Sequence, residues 1–531
     1  MKKHTPKLLW AILIIFVSGA ILRFYWEPEF AYIPPRDQVL NPAFRGEKPA
    51  YDVWGRSISA EEAAKLKKTD KGRKKLSPEQ GAVPINPDTL NLGRKTFYQE
   101  TFGNEVFLTD ILGLVDGAVT IPNIMKAIWK LKGRGTTNLR VELAKTVTVG
   151  GKTFKKGTLI DTGIDVPKGA YMPLGMPVKF SGGRLKVGIS CAACHATVDR
   201  ESKKVVEGAS NWDLNQGLLL ALATNSSAYF THTQLTKSQL NGLKRHLDRS
   251  GNSDPSQIAK ALPDPKAMED QVDRVLLRWP KGHFDSTIDL VSNPTKIPDS
   301  FTRGAHPYGW SGFAAAGPFK GLSTFSNNVH AQNSDPLSQA EVSRPLFGID
   351  KEVYLGIILQ NASSPKYRYH PGKGRNPSDF FASVDPTPGV TGINENILPP
   401  TFPRLTPVAP DGVFVSSPGY KAWEQINAVA AWQNTLVPPK APIALDPKRV
   451  EQGKRVFQRA GCIRCHAGSA FTNNRIIPAN VIGTEPSRAK ALKKTGAIFG
   501  PPVIYSPDTP VPVPGKARTL RVPMDIWMPL S

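Results

Sequence analysis

The chain has 531 residues, 68 Lys and Arg against 44 Asp and Glu, a formal net charge of +24, and 40% hydrophobic residues. That length and apolar content call for more than one ordinary core and exclude wholesale disorder, while 48 Pro and 45 Gly without a collagen period mark a loop-rich chain. Four cysteines exclude a disulfide scaffold, and the charge points to an anionic partner: nucleic acid, lipid headgroups, cell-wall polymer or an acidic protein.

The chain opens Met1-Lys2-Lys3-His4, runs apolar from Leu8 to Leu22, and continues with Phe24, Tyr25 and Trp26. A basic start before a short apolar run reads as a signal or a membrane anchor over residues 1–26. The run is shorter than the roughly 20 residues of a comfortable span. The aromatic trio fits an interfacial belt, and Ser18-Gly19-Ala20 would serve as a cleavage site. A buried core helix fits less well behind Lys2, Lys3 and Lys7. Basic residues at the start favour an inside N-terminus, with everything after Arg23 outside the cytoplasmic membrane. That compartment, the dispersed charge and the lack of a recognition motif argue against nucleic acid.

Residues 27–90 read as a basic, Pro-rich linker, punctuated by Pro34, Pro35, Pro42, Pro49, Pro78, Pro84 and Pro87. Its run Lys65–Leu76 reads as a solvated tether, an exposed helix, or a contact with anionic lipid or wall polymer. Globular sequence begins near Leu92, with helical spacing over Leu92–Gly113. Thr146–Ile160 reads as a hairpin, 213–230 as a buried helix, and Met268–Trp279 as an amphipathic helix. Residues 291–345 and 362–420 read as long ordered loops and 421–435 as a helix. The Pro-rich link Val437–Pro442 then opens a last segment, so the expected domains are 91–436 and 437–531.

All four cysteines fall in two copies of one pattern, Cys191-Ala192-Ala193-Cys194-His195 and Cys462-Ile463-Arg464-Cys465-His466. C-x-x-C-H is the attachment signature of c-type haem. Two thiols one helical turn apart add to the two vinyl groups of one porphyrin, and the adjacent His reaches the iron. A thioredoxin-like pair needs one exposed C-x-x-C, not two each followed by His. The halves of a Cys₄ zinc site normally lie tens of residues apart, whereas these are several hundred apart. The expected cofactors are therefore two covalently bound haems c, attached through Cys191, Cys194, Cys462 and Cys465, with His195 and His466 as axial ligands to iron.

What fills the sixth position of each iron decides between electron transfer and chemistry on peroxide or oxygen. For the second haem the candidates are Met524, Met528 and Tyr505, since no His follows His466. For the first, Met172 and Met176 lie upstream, and His232, His246, His283, His306, His330 and His370 lie downstream. His306 and His330 sit in aromatic or Asn-rich loops and are the better candidates. Trp212, Trp279 and Trp310 are candidates for packing on a haem or bridging the two, or for ordinary core packing.

Leu92–Gly103 (LGRKTFYQETFG), CAACH, Val450–Asn474 (VEQGKRVFQRAGCIRCHAGSAFTNN) and Arg518–Pro523 (RTLRVP) together resemble the bacterial dihaem cytochrome c peroxidase superfamily, in its large rubber-oxygenase-like branch. The likeness covers most of residues 90–531, with the haem motifs its specific part. It implies a mainly α fold of two cytochrome c-like haem domains with long loop-rich insertions. It also implies a substrate-side iron at His195 and an electron-relaying iron at His466. Nearly ninety residues separate the LGR-x-x-F helix from the first motif, where compact family members have none. The expected function is an extracytoplasmic dihaem redox protein of the peroxidase/oxygenase type. The alternative is a non-enzymatic electron-transfer cytochrome that docks on an acidic redox partner through its basic surface.

Overall fold

A computed structural model describes residues 29–244, 254–285, 289–301, 343–384, 422–440 and 444–468, together with shorter stretches between and after them. Residues 1–26 lie outside the described residues. Among the described ones no helix is long and apolar enough to cross a membrane.

Helix and strand are mixed. Helices carry the cores, and among the described residues the strands form two- and three-stranded antiparallel sheets. The mainly α expectation thus gives way to a mixed architecture, because short Val/Thr/Gly-rich stretches pair locally as hairpins. Residues 147–149 and 152–154 form the expected hairpin, turning through Gly150 and Gly151, both at positive φ. A two-residue turn of this hand needs that conformation twice, which only glycine adopts without strain.

Residues 29–90, expected as linker, form paired strands and capped helices. Tyr51–Val53 pairs with both Arg56–Ile58 and Ala82–Pro84. Helices Ala60–Lys67 and Asp70–Lys75 follow, capped by the side chains of Ser59 and Thr69. Ile58, Ala63 and Leu76 bury a small core that the basic composition concealed. Asp52 anchors this unit by accepting from the N–H groups of Gly55 (2.9 Å) and Phe319 (3.0 Å).

The helix Pro87–Gln99 starts from Asn86, whose side chain caps Thr89 N at 2.9 Å, with proline in the first turn. It packs along the helix Ala422–Gln433, joining the two ends of the 91–436 region. Gly93 makes this possible: any side chain there would run into the carbonyl of Ala428. Phe97 then stacks at a tilt on Trp432, centroids 4.7 Å apart. The single helix expected over 92–113 instead breaks after Gln99 and resumes as a π-helix over Val106–Ile111, because Phe102 and Gly103 take positive φ between them. The 213–230 helix is likewise two pieces, Gln216–Ala221 and the 3-10 turn Ser226–His232. Buried Asn225 sits at the break and donates to the carbonyls of Ile111 and Ile358.

The largest core surrounds helices Pro265–Leu276 and Lys351–Leu359. The second is apolar all round, with every residue from Glu352 to Leu359 buried. A second core lies under the small strands of 139–166, and a third gathers Phe97, Tyr98, Ala192, Ala196 and Trp432. Arg94 and Glu207 form a buried ion pair at 2.7 Å, with Tyr98 OH also donating to Glu207. Together with Asn41 they tie the N-terminal stretch to this third core.

Candidate haem-attachment sites

Cys191 opens a one-turn helix, Ala192–His195, with His195 N–H donating to the Cys191 carbonyl at 2.9 Å. The turn is embedded: Ala192 lies in the third core, and Cys191 and Cys194 pack against two different cores. Gly175 presses on it so closely that a side chain there would strike the backbone of Ala193. Ser190 Oγ donates to the Tyr98 carbonyl at 2.9 Å, fastening the turn to the 87–99 helix. Burial pushes both thiols up to about 12. Redox-active C-x-x-C pairs have lowered thiol pKa values, the opposite direction from this pair.

His195 is half-buried, and its Nδ1–H donates to the Pro298 carbonyl at 3.0 Å. The carbonyl can only accept, which puts the proton on Nδ1 and leaves Nε2 as the lone-pair nitrogen. Burial pushes this imidazole down to about 4, opposed by the Pro298 carbonyl and the Asp299 carboxylate. A neutral ring held through its other nitrogen is the usual form of a metal-ligating histidine.

The second turn repeats this backbone pattern in other surroundings. The helix Pro447–Arg459 ends at Gly461, at φ 77°, and Cys462–Arg464 forms a 3-10 turn. His466 N–H donates to the Cys462 carbonyl at 2.9 Å, and His466 Nδ1–H to the Phe471 carbonyl at 3.1 Å. Phe457 lies against both His466 and Phe471, at centroid distances of 6.2 and 6.0 Å. The 447–459 helix has no buried residue, and Val450, Val456, Ile463 and Phe471 are all exposed.

A pair of asparagines that motif reading missed completes the correspondence. Asn211 N–H donates to the Cys194 carbonyl at 2.9 Å, and its Nδ2 to the Ala193 carbonyl at 3.2 Å. Asn473 N–H donates to the Cys465 carbonyl at 2.8 Å, and its Nδ2 to the Arg464 carbonyl at 2.8 Å. Each asparagine therefore clamps the same two carbonyls of its turn. They follow the second cysteine at different distances along the chain, so no spacing rule could have found them.

These residues fit a covalently attached haem: two cysteines one turn apart, a histidine whose Nδ1–H is held by a backbone carbonyl, and, at the second turn, a set of apolar side chains left uncovered. Among the described residues no three His, Cys, Asp or Glu side chains gather as a metal site, so the Cys₄ zinc arrangement is not formed.

The sixth-ligand candidates Met524, Met528, His306 and His330 lie outside the described residues, as do His246 and Trp310. Tyr505 ends a strand paired with Thr519–Arg521. Met176 is buried in the second core, and Met172 is half-buried. His232 is buried against Tyr229 and Phe284, His283 donates its Nδ1–H to the Lys281 carbonyl, and His370 is exposed. Trp279 is buried in the largest core, while exposed Trp212 carries Arg200 over its ring at 4.3 Å. No family model, no curated protein and no solved structure matches the chain.

Proposed function

We propose that this chain is a c-type cytochrome with two covalently bound haems, a redox protein of the dihaem peroxidase/oxygenase type working outside the cytoplasmic membrane and tethered by its N-terminal segment. The observation that carries this reading is the matched construction of the two C-x-x-C-H turns. In each, the histidine Nδ1–H is engaged by a backbone carbonyl and an asparagine clamps the turn. When bound, each haem supplies an iron that cycles between ferric and ferrous states. The chain's own residues hold it: Cys191 and Cys194, then Cys462 and Cys465, form the thioethers, and His195 and His466 present Nε2. The Pro298 and Phe471 carbonyls keep each ring in one tautomer and orientation. Cys191 and Cys194 pack, partly buried, against two cores, which supports assigning the more enclosed, substrate-side centre to the first turn.

A second reading, a non-enzymatic electron carrier, is favoured by the exposed, cation-rich setting of the second turn. Pyridine haemochrome analysis gives the haem count, expected to be two per chain. Electron paramagnetic resonance of the oxidised protein separates the two readings. A high-spin, five-coordinate signal from one centre is expected of the peroxidase/oxygenase type. Two low-spin, six-coordinate irons, before and after partial reduction, leave only the carrier.

A further inference from the structure

The cations of the chain are not spread evenly. From Gly117 to Ile160, between the 87–99 helix and the first C-x-x-C-H turn, stand nine Lys or Arg and one carboxylate, a net +8 of the chain's +24. Lys126 and Lys130 share Glu142, each at 2.6 Å, and Arg140 meets Asp161 at 3.1 Å. Lys132, Arg134, Lys145, Lys152, Lys155 and Lys156 have no carboxylate partner among the described residues, and all are exposed.

Apolar side chains stand among these charges. The helix Ile121–Lys130 buries Ile124, Ala127 and Ile128 in the second core and turns Pro122, Met125 and Trp129 outward, at i, i+3 and i+7. Trp129 is 70% exposed, more than any other large apolar side chain among the described residues, and Met125 is 38% exposed. Lys126 and Lys130 reach from this helix to Glu142, whose cross-strand neighbour is Leu159, 46% exposed. Beyond Leu159 the ribbon is held by Gly157 N–H on the Leu143 carbonyl and Lys156 N–H on Thr146 Oγ1, which sets Lys145, Lys155 and Lys156 next along it. Lys132 and Arg134 follow Trp129 past the end of the helix. The N-terminal stretch enters the body against the same core. Glu29 and Phe30 pair with Lys179 and Val178, and Tyr32 packs on the core that the 121–130 helix covers.

Resting on the tether of the proposed function and not on its haems, we propose that residues 121–159 lie on an anionic lipid surface, with Trp129, Met125 and Leu159 at the headgroup boundary and the surrounding cations on lipid phosphates. Charge alone suits any polyanion. The apolar ridge selects the bilayer, which sets an apolar layer just beneath a sheet of negative charge. A tryptophan gains most at that boundary, where its ring is apolar and its N–H stays wet.

The test reconstitutes the full haem-loaded chain into phosphatidylcholine vesicles and into vesicles of equal phosphatidylcholine and phosphatidylglycerol. Lysines are acetylated in both, and mass spectrometry reads each site. Labelling of Lys132, Lys145 and Lys152 is expected to fall at least about threefold on the anionic vesicles, and that of Lys448 and Lys454 less than about 1.5-fold. Met125→Ala with Trp129→Ala, and separately Lys155→Glu with Lys156→Glu, should each cut the protection to less than about twofold. No protection of the parent chain overturns the proposal, as does equal protection of all five lysines, which would show adsorption by net charge. Full protection in the Met125→Ala, Trp129→Ala chain assigns the face to a wall polymer or other polyanion and overturns the bilayer. The tether is read apart from this: a chain that washes off neutral vesicles defeats the tether alone, since unbound chain is an equally good reference for the labelling.

Discussion

The two attachment turns are nearly one piece of local structure set in two opposite environments. Both have the same i to i+4 backbone bond from cysteine to histidine, the same Nδ1 bond to a carbonyl, and the same asparagine clamp. The first is wedged between cores, with Gly175 against its backbone and Ser190 fastened to Tyr98. The second stands on a helix that buries nothing. The difference teaches that the turn forms from local bonds and that its burial is decided elsewhere: the chain encloses it at the first site and leaves it exposed at the second.

The largest expected effect separates them directly. Cys462→Ser with Cys465→Ser should leave one haem and open the 447–468 segment to protease, because a 13-residue helix without a packed face is marginal in water. Cys191→Ser with Cys194→Ser should also leave one haem, yet keep residues 191–211 protected by the surrounding cores. Haemochrome counts with mass spectrometry of limited digests check both, and equal sensitivity of the two segments would erase the contrast.

Ion pairs sharpen it next. Arg94→Ala leaves Glu207 charged and buried, and should cost about 3–5 kcal/mol in denaturant unfolding. Arg455→Ala breaks an exposed i,i+4 pair and should cost less than about 0.5 kcal/mol.

A pH profile probes the first region's buried carboxylates. Burial pushes Asp52 up to about 7, against the pull of two backbone N–H groups and Lys320. Its unfolded value is 3.8, so between these values the folded state binds more protons than the unfolded one. Stability therefore falls as pH rises from near 4 to near 7 and stays at the lower level above that. Asp52→Asn keeps an acceptor for Gly55 and Phe319 and removes the buried charge. It should exceed the parent by on the order of 2 kcal/mol at pH 8, with the gap closing near pH 4, in urea titrations at both pH values. A gap independent of pH would show that Asp52 ionises freely.

The smallest contrast is between the clamps. Asn211→Ala strips buried carbonyls of their donor and should cost about 1–2 kcal/mol. Asn473→Ala, where water reaches the same groups, should cost about 0.5 kcal/mol. Thermal unfolding followed at the two haems resolves these costs.

Much of the local structure was legible along the chain. The hairpin at 147–154, the helices at 265–276 and 422–433, and the position of both C-x-x-C-H turns follow from periodicity, turn glycines and motif spacing. The folded unit within 27–90 was not legible, because its core is only Ile58, Ala63 and Leu76 among many charges. Nor was the break at Phe102 and Gly103, which long-range packing imposes on a sequence of good helical spacing.

The sequence by itself determined the position and local form of the turns at Cys191–His195 and Cys462–His466, since the second cysteine and the histidine follow the first cysteine by three and four residues, within reach of one helical turn. Tertiary structure alone decided which carbonyl holds each histidine, which asparagine clamps each turn, and that one turn is enclosed while the other stands exposed. Pro298 comes to His195 across 103 residues, and the 87–99 helix finds the 422–433 helix across more than three hundred. Such contacts are set by which apolar faces bury one another, as at Gly93 and Ala428, and no local spacing encodes that pairing.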